Sequence, residues 1–320
     1  MRRKIDLVYM WVDGNDAKWR AKKNAALRAA GMDEINPDVS SNLRYFDNDE
    51  LKYSLRGAEK FAPWINHIFI ITDNQVPKWL DAGNKKITIV DHAEIMPDIA
   101  RPCFNSTVIE MFIQNIPGLS EYFLLANDDM FFGNKISPDY FFTKRGMPRI
   151  RGKSASQFSA ANLRADAAEP RMYSAIVRNA KKLILEIFGE NHDYAWKASH
   201  CVDPYLKSEI VKCLAHPKVQ PETERTFPHH FREYDDIQRT LFHEFMLARR
   251  TAKIKIYHGL NMAFNINSRP RYITHARTLN RMLVKPKLFC INSGGENAAV
   301  DKYNHDWLQK FLPNKSVFEV

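Results

Sequence analysis

The order of apolar runs and helical patterns along the chain predicts an α/β fold: a Rossmann-like, mostly parallel sheet with helices on both faces. Runs rich in β-branched and aromatic residues alternate with helical patterns in the first half; these runs are KIDLVYMWV, INHIFIITD, KITIVDH and YFLLANDD. Parallel strands need crossover segments between them, because each strand starts at the same edge of the sheet. The longer helical patterns of the second half predict a more helical, basic C-terminal half.

Three segments of the first half have helical spacing. AKWRAKKNAALRAAG follows the first strand, and another segment lies near Ser106–Gln114. Between them, DELKYSLRGAEKFA is followed by Pro63, which stops a helix. Its apolar residues lie three or four positions apart, as one helix face requires: Leu51, Leu55, Ala58 and Ala62.

Two longer helices are predicted in the second half. The later of the two runs from about Asp236 to Leu247. We place a boundary in RGKSASQFSAANL, where small polar residues coincide with a shift in charge, and so divide the chain into residues 1–155 and 156–320. The first of the two helices ends at Gly189 and has an apolar stripe: Met172, Ile176, Ala180, Leu183 and Ile187.

The composition is that of a folded globular protein. The chain has 320 residues, of which 45% are hydrophobic and 26% charged, so disordered, collagen-like and fibrous classes are excluded. No apolar run reaches the ~18–20 residues that span a bilayer, and Asp6 and Asp13 interrupt the apolar start, unlike in a signal peptide. Four scattered cysteines without a CxxC pair are typical of free thiols in a reducing compartment. We therefore expect a cytoplasmic protein.

The excess of positive charge lies in the second half. The net charge is +10; residues 1–150 hold 20 Lys and Arg against 20 Asp and Glu, whereas residues 151–320 hold 27 against 17. No carboxylate occurs between Glu244 and Glu296, and we call this stretch the basic segment. We expect it to face an anion, for which nucleic acid, an anionic membrane and a phosphorylated molecule are the candidates; a solvated basic face is the alternative. Its cations are Arg249, Arg250, Lys253, Lys255, Arg269, Arg271, Arg277, Arg281, Lys285 and Lys287.

The run YFLLANDDMFFG ends an apolar strand in Asn127, Asp128 and Asp129. Ligands of open α/β sheets bind at the carboxyl ends of strands. Two carboxylates beside an amide suit Mg²⁺ or Mn²⁺ that holds a diphosphate. The alternative is a turn in which these side chains bond only their own backbone.

The N-terminal run IDLVYMWVDGND also ends in acidic residues and a glycine. Asp13 and Gly14 form a natural tight turn, and the loop after the first strand is a common contact for nucleotides. The sequence contains neither GxGxxG nor GxxxxGK[ST], which excludes a dinucleotide fingerprint and a P-loop. A plain turn is the alternative.

Two segments of the second half carry residues that phosphoryl transfer needs. ASHCVDPYLKSEI contains His200, and FPHHFREYDDI contains Arg232. A histidine can act as a general base, and an arginine can hold phosphate oxygens with two parallel hydrogen bonds. A structural role is the alternative for the histidine.

Taken in order, these blocks resemble the Stealth family of sugar-1-phosphate transferases. That family includes bacterial capsule and exopolysaccharide phosphotransferases and the eukaryotic lysosomal-enzyme N-acetylglucosamine-1-phosphotransferase. The resemblance runs from Asp6 to about Ser293, through DLVYMWVDGND, ELKYSLRGAEKFAPWINHIFIITDNQVPKWL, IVDHAEIMP, CFNSTVIEMFIQNIPGLSEYFLLANDDMFFG, the His200 and FREYDDI segments, and LFCINSGG.

The resemblance implies a GT-A-like sheet and a transferase of surface polysaccharide synthesis. Such an enzyme moves a hexosamine-1-phosphate, typically an N-acetylhexosamine-1-phosphate, from a UDP-sugar to a hydroxyl of a glycan acceptor and releases UMP. By motif match, His200 is the general base, Arg232 the phosphate clamp, and Asp128 and Asp129 are the ligands of Mg²⁺ or Mn²⁺. The residues expected to line the donor pocket are Asp6, Trp11, Asp13, Gly14, Arg56, Asn105, Asn127 and Asn292.

One block departs from the family pattern, because LFCINSGG has Ser293 where an aspartate is usual. Asn292 can still offer a carbonyl oxygen to a metal. Under the resemblance, residues 1–155 bind the nucleotide-sugar and residues 156–320 complete the active site. The basic segment would then face the donor pyrophosphate, a glycan or lipid-linked glycan acceptor, or the inner face of an anionic membrane.

Two other hypotheses stay open. One is a metal-dependent glycosyltransferase, which would share the donor and the metal but release UDP. The other is a non-catalytic polyanion-binding protein. The sequence contains no nucleic-acid-binding motif, so nucleic acid is not an expected partner.

Overall fold

The computed structural model describes residues 3–32, 42–165, 171–256, 263–267, 286–292 and 297–320. These residues contain eleven strands: β1 (Ile5–Met10), β2 (Ile68–Thr72), β3 (Ile87–Asp91), β4 (Tyr122–Asn127), β5 (Met130–Phe132), β6 (Arg149–Ser154), β7 (Trp196–Ala198), β8 (Asp203–Leu206), β9 (Lys253–Ile256), β10 (Ala263–Asn267) and β11 (Leu288–Asn292). They also contain ten α-helices: α1 (Ala17–Ala29), α2 (Glu50–Phe61), α3 (His92–Ile95), α4 (Ser106–Glu110), α5 (Ala160–Arg164), α6 (Met172–Phe188), α7 (Lys207–Leu214), α8 (Gln220–Thr226), α9 (Thr240–Ala248) and α10 (Ala298–Phe311).

The central sheet has the strand order β3-β2-β1-β4-β8. Its first four strands are parallel, and β8 is antiparallel to β4. In the register of this sheet, Met10 of β1 lies between Ile71 of β2 and Asn127 of β4, so the carboxyl ends of these strands share one edge. The mostly parallel, Rossmann-like sheet predicted from the sequence is confirmed.

Helices cover both faces of the central sheet. Leu7 and Tyr9 of β1 belong to a buried cluster with Leu51 and Leu55 of α2. Val8 belongs to a second cluster, which includes buried residues of α4, α6 and α9. Successive strand residues point to opposite faces, and each fully buried Leu or Ile contributes about 1.5–3 kcal/mol. Because both faces are covered, the strands appear in the sequence as continuous apolar runs.

Two smaller sheets combine strands from both halves of the chain. In one, β11 lies between β10, which is parallel to it, and β5, which is antiparallel. In the other, β6 lies between β7 and β9. With β8 beside β4, each of the three sheets pairs strands from before and after residue 155. The division of the chain at residue 155 stays a prediction.

The two helices predicted in the second half are present, and one of them begins later than predicted. α6 ends where Gly189 adopts a φ of 68°, a conformation that favours glycine. α9 begins at Thr240 instead of near Asp236. The Asp236 carboxylate bonds to the preceding loop instead, where it accepts from the N–H of Glu233 at 2.9 Å.

None of the ten described helices combines the length and the apolar composition that crossing a membrane requires. All four cysteines are buried free thiols, as the sequence predicts.

Candidate active site

Asp129, His200 and Cys290 meet at the carboxyl end of β4, and we call them the Asp129 group. The Nε2 atom of His200 lies 3.3 Å from Oδ2 of Asp129, and the thiol of Cys290 donates to the same oxygen at 3.1 Å. The second oxygen of Asp129, Oδ1, is buried and has no hydrogen-bond partner among the described residues. The His200 side chain is 33% exposed, so a ligand can reach it.

The pairing of strands brings these three residues together. Because β8 runs antiparallel to β4, the loop before β8, which carries His200, lies beside the turn after β4. Cys290 of β11 is paired with Met130 of β5. The N–H of Ile291 also donates to the carbonyl of Asp129 at 3.0 Å. The group therefore depends on three segments that are distant in sequence.

Hydrogen bonds determine the protonation of the Asp129 group. Burial acts to raise the pKa of Asp129, but the nearby imidazole and the bonds from His200 and Cys290 outweigh it and lower this pKa. Burial raises the pKa of the Cys290 thiol, and the charge of Asp129 raises it further. At neutral pH, Asp129 is therefore an ionised acceptor beside the neutral thiol of Cys290.

Asp128 lies among other carboxylates. Burial raises the pKa of Asp128, and the negative charges of Asp129, Glu50 and Asp47 add to this. The side-chain oxygen of Asn127 is buried and has no partner among the described residues. Oxygen atoms are the ligands that Mg²⁺ and Mn²⁺ take, and a cation would relieve both the repulsion and the unpaired oxygens. The turn from Asn127 to Asp129 therefore fits a divalent metal ion.

Arg232 lies on the loop between α8 and α9 and faces the start of α4. Its Nη2 donates to Oγ of Ser106 at 2.8 Å, and its Nε is buried without a partner among the described residues. Burial, and then the charge of Arg44, lower the pKa of Arg232 to about 10, so the guanidinium stays charged at neutral pH. A buried cation with an unused donor can hold an anionic ligand.

Asn105, His229 and Asp236 hold the loop that carries Arg232, and we call them the Asp236 group. Asp236 is 0% exposed. Its Oδ1 lies 2.7 Å from Nδ1 of His229, and its Oδ2 accepts from Nδ2 of Asn105 at 2.7 Å and from the N–H of Glu233 at 2.9 Å. Asn105 is also the N-cap of α4. The Asp236 group thus fixes the Arg232 loop against α4.

A buried ion pair and a buried carboxyl lie near the charged groups of the site. Burial raises the pKa of Glu110, against the charges of Arg239, Arg232 and His200; Arg239 donates to Glu110 at 3.2 Å. Asp203 has no partner for either oxygen among the described residues, and burial raises its pKa to about 6. The sequence prediction did not select Glu110, Arg239 or Asp203. The residues next to a charged side chain in sequence do not indicate whether that side chain is buried in the fold.

A cleft of 660 Å³ adjoins the same edge of the sheet and is lined from the loops after β1 and β2 and from the segment before α2. Nε1 of Trp11 donates to Oδ1 of Asp47 at 3.2 Å. The N–H of Asp13 donates to Oε1 of Gln75 at 3.0 Å. Asp47 lines the cleft and also raises the pKa of Asp128. The cleft and the turn from Asn127 to Asp129 are therefore neighbours.

The predicted donor-pocket residues fall into two sets, of which the first lies at the cleft or at the end of β4. Trp11 and Asp13 line the cleft, and Asn127 ends β4. Gly14 follows Asp13, and its N–H donates to the carbonyl of Tyr45 at 2.8 Å. A Cβ at Gly14 would lie 2.2 Å from that oxygen, so the close approach of the two backbones requires glycine.

The second set, Asp6, Arg56 and Asn105, has partners elsewhere. Asp6 lies at the amino end of β1, away from the cleft, and its oxygens accept two hydrogen bonds of 2.7 Å from neighbouring loops. Arg56 donates two hydrogen bonds of 2.7 Å to Glu319. Asn105 belongs to the Asp236 group. The structure does not bring these three side chains to the cleft or to the Asp129 group.

Parts of two other predictions lie outside the described residues. The backbone of Asn292 ends β11, but its side chain and Ser293 are not described. In the basic segment, Arg249 donates to Glu209 at 3.0 Å. The anion-binding role of this segment stays a prediction, since five of its cations are outside the described residues: Arg269, Arg271, Arg277, Arg281 and Lys285.

The sequence prediction names Asn292 within LFCINSGG but not Cys290. A thiol in an apolar run reads as part of the core, and its partner Asp129 is 161 positions away. The available signal was the position of Cys290 near the end of a strand, the same signal that selected Asp128 and Asp129.

Comparisons with known proteins define the class and then the family. Acidic residues at the carboxyl end of a central parallel strand, beside a cleft, are typical of ligand-binding α/β proteins. Two family models match this chain: Stealth protein CR1, conserved region 1, over residues 3–31, and Stealth protein CR2, conserved region 2, over residues 44–150. The chain belongs to the Stealth family.

Curated relatives extend the match over the whole chain. The receptor polysaccharide phosphotransferase WefC of Streptococcus oralis is 31% identical over 99% of this chain and 99% of that protein. The capsular polysaccharide phosphotransferase of Haemophilus influenzae is 31% identical over 90% of this chain and 78% of that protein. The exopolysaccharide phosphotransferase of Streptomyces coelicolor is 34% identical over 100% of this chain, which spans 53% of that longer protein.

A solved structure of the galactosyltransferase LgtC, in complex with donor and acceptor sugar analogues, has a TM-score of 0.47 to this chain. The two are 10% identical, with 98% of this chain and 96% of that chain covered.

Proposed function

We propose that this chain transfers a hexosamine-1-phosphate, in particular an N-acetylhexosamine-1-phosphate, from a UDP-sugar to a hydroxyl of a glycan acceptor and releases UMP. The reaction would serve the synthesis of bacterial capsule or surface polysaccharide. The names of the relatives, all phosphotransferases of polysaccharides, support the class of reaction. The observation that carries the proposal is the contact between His200 and Asp129 at the carboxyl end of β4.

His200 is the proposed general base. In this proposal Nε2 of His200 carries the proton and donates a hydrogen bond to the ionised Asp129, 3.3 Å away, which leaves Nδ1 to accept a proton. The acceptor hydroxyl gives its proton to Nδ1 while its oxygen attacks the sugar-bearing phosphorus. The bond between this phosphorus and the bridging oxygen then breaks, and that oxygen leaves as part of UMP.

Arg232 is the proposed clamp for the transferred phosphate. Its guanidinium is buried and charged, and its Nε has no partner among the described residues. Such a donor stabilises the negative charge that builds up on the phosphate oxygens in the transition state. Mg²⁺ or Mn²⁺, held by Asp128 and Asp129 with Asn127, would supply further positive charge next to the diphosphate.

The cleft beside Trp11 and Asp13 is the proposed place of the UDP part of the donor. Its volume of 660 Å³ is within the ~300–1,000 Å³ of ligand pockets. The acceptor would be a glycan or a lipid-linked glycan. For a lipid-linked acceptor, the basic segment would contact an anionic membrane from its inner face, which binding to anionic vesicles at low and high salt tests.

A product assay tests the proposed function. The purified chain is incubated with Mg²⁺, UDP-N-acetylglucosamine or related UDP-sugars, and a short glycan acceptor, and the released nucleotide is identified by chromatography. UMP that forms only with acceptor supports the proposal. UDP would instead identify a metal-dependent glycosyltransferase, and polyanion binding without nucleotide release from any donor would favour a non-catalytic protein.

His67→Gln is a matched control for His200→Gln in this assay. His67 lies just before β2, at the amino edge of the sheet, and its Nε2 contacts Oγ1 of Thr88 at 2.8 Å. The control variant should release UMP like the unmodified chain, whereas His200→Gln should not.

A further inference from the structure

The Asp129 group has the donor atoms of a site for a thiophilic metal ion. A nitrogen, an oxygen and a sulfur from His200, Asp129 and Cys290 lie within 4.8 Å of one another. Two of the separations are 3.3 Å and 3.1 Å, both measured to Oδ2 of Asp129. Tetrahedral Zn²⁺, with bonds of about 2.0–2.3 Å, needs donors about 3.3–3.6 Å apart. Small side-chain adjustments would therefore suffice to place an ion among the three donors.

The chemistry of these donors differs from that of the neighbouring turn. Asn127 and Asp128 offer oxygens alone, which suit Mg²⁺ or Mn²⁺. The combination of imidazole, carboxylate and thiolate favours Zn²⁺, because thiolates select softer ions. Three protein ligands leave one coordination position open, and the buried Oδ1 of Asp129 has no partner among the described residues to keep the carboxylate from turning.

We propose that Asp129, His200 and Cys290 bind one Zn²⁺ ion per chain, and that this ion inhibits the proposed reaction. Binding would release the thiol proton of Cys290 to solvent, because the thiolate is the ligand. It would also replace the contact of Nε2 with Asp129 by a bond to the metal. A neutral imidazole bound through Nε2 carries its proton on Nδ1, so His200 could no longer accept a proton from the acceptor. The inhibitory part of this inference rests on the proposed function; the binding part does not.

Co²⁺ is the probe for the binding part, since it takes the place of Zn²⁺ and absorbs light. The intact chain is titrated with Co²⁺ without donor or acceptor. We expect one Co²⁺ per chain, with a thiolate-to-cobalt charge-transfer band that added Zn²⁺ abolishes. Cys290→Ala should remove this band and weaken Co²⁺ binding at least ~10-fold, since even second-shell partners of a metal site are worth that much.

Cys213→Ala is the matched control, because it also removes one buried thiol, from α7. It should keep the band and the affinity. Circular dichroism reports whether each variant is folded, and His200→Gln provides a second test if Cys290→Ala does not fold. Saturation with Co²⁺ without a thiolate band, a band that persists in folded Cys290→Ala, or an unchanged Co²⁺ affinity in folded His200→Gln would overturn the proposal.

The inhibitory part has a separate readout. In the UMP-release assay at fixed Mg²⁺, Zn²⁺ should inhibit the unmodified chain and Cys213→Ala alike, and Cys290→Ala at least ~10-fold less strongly. A chain that binds Co²⁺ through Cys290 but releases no UMP would disprove the proposed function and leave the metal site standing. A chain that releases UMP without binding Co²⁺ through Cys290 would disprove the metal site and leave the proposed function standing.

Discussion

The Asp129 group and the Asp236 group both place a carboxylate next to a histidine, yet their hydrogen bonding differs. In the Asp236 group the carboxylate is fully buried, and both oxygens are used by His229, Asn105 and a backbone N–H. In the Asp129 group one oxygen receives two donors, and the other has no partner among the described residues.

This difference indicates a structural role for the Asp236 group and a ligand-binding role for the Asp129 group. A satisfied buried carboxylate is already in its most stable arrangement, and any ligand would have to break bonds that hold α4 and the Arg232 loop together. An unsatisfied carboxylate beside a half-exposed imidazole stands to gain from a ligand. His229 and Asp236 with Asp235 also meet the spacing of a metal site, but Asp235 accepts from Arg225 as well.

The largest expected effect is the loss of turnover when the Asp129 group is altered. His200→Gln should lower kcat by ~10²–10⁴-fold, because the proposed general base is lost, while the free energy of unfolding changes little. Asp129→Ala should lower kcat at least ~10²-fold. Rates of UMP release and urea unfolding of the same samples check both. Near-normal turnover in a folded Asp129→Ala chain would remove Asp129 from the site.

The Asp236 group positions Arg232, because it fixes the loop that carries this residue against α4. Arg232→Ala should lower kcat at least ~10²-fold through lost stabilisation of the phosphate charge. Arg232→Lys should restore only part of this rate, since an ammonium keeps the charge but not the fork of donors. Equal rates for the Ala and Lys variants would argue against a clamp based on charge.

For the Asp236 group we expect a larger effect on stability than on turnover. Asp236→Ala should lower the free energy of unfolding by about 3 kcal/mol, because the N–H of Glu233 and the imidazole of His229 both lose the carboxylate that they contact. Turnover per folded molecule should fall less than in Asp129→Ala. The matched control, exposed Asp139→Ala, should change stability by less than about 0.5 kcal/mol. A stable but inactive Asp236→Ala chain would contradict a structural role for the Asp236 group.

Asp203 is a buried carboxylate without a hydrogen-bond partner among the described residues, and its effect should appear in the pH dependence of stability. Its pKa is raised from 3.8 to about 6 by burial, so between pH 4 and 6 the folded chain holds a proton that the unfolded chain has released. Stability should therefore fall as pH rises through this window, by roughly 3 kcal/mol for about 2 pKa units at about 1.4 kcal/mol each.

Asp203→Asn should remove most of this pH dependence. The variant should be more stable than the unmodified chain at pH 7.5 and similar to it near pH 4, as measured by thermal unfolding across this range. If the gain at pH 7.5 is absent, the Asp203 carboxylate is satisfied in solution.

The sequence predicts the central sheet and the turn at its edge because both signals are local. Strand runs such as IFII of β2 are apolar because both faces of the strand are buried, and Asn127 to Asp129 stand out where such a run stops. The amino-end position of Asp6 was also readable, since it comes at the start of its run. That position argues against a place at the carboxyl edge.

The rest of the site depends on contacts between distant residues. Arg56 pairs with Glu319, 263 positions away, and His200 meets Asp129 across 71 positions. No pattern within one segment reports such a pair. For Asn105, the helix-capping role is local, because Asn before Ser and Thr at the start of a helix is a common N-cap, but its bond to Asp236 is not.

The antiparallel position of β8 beside β4 has a consequence for how the protein comes into being. Chains emerge from the ribosome amino end first, so the carboxylates after β4 leave it 71 residues before His200 and 161 residues before Cys290. A nascent chain can therefore build its acidic turn early, but His200 joins it only after β8 has been synthesised. Under the proposed function, the site would thus gain its base only after the four parallel strands of the central sheet have been made.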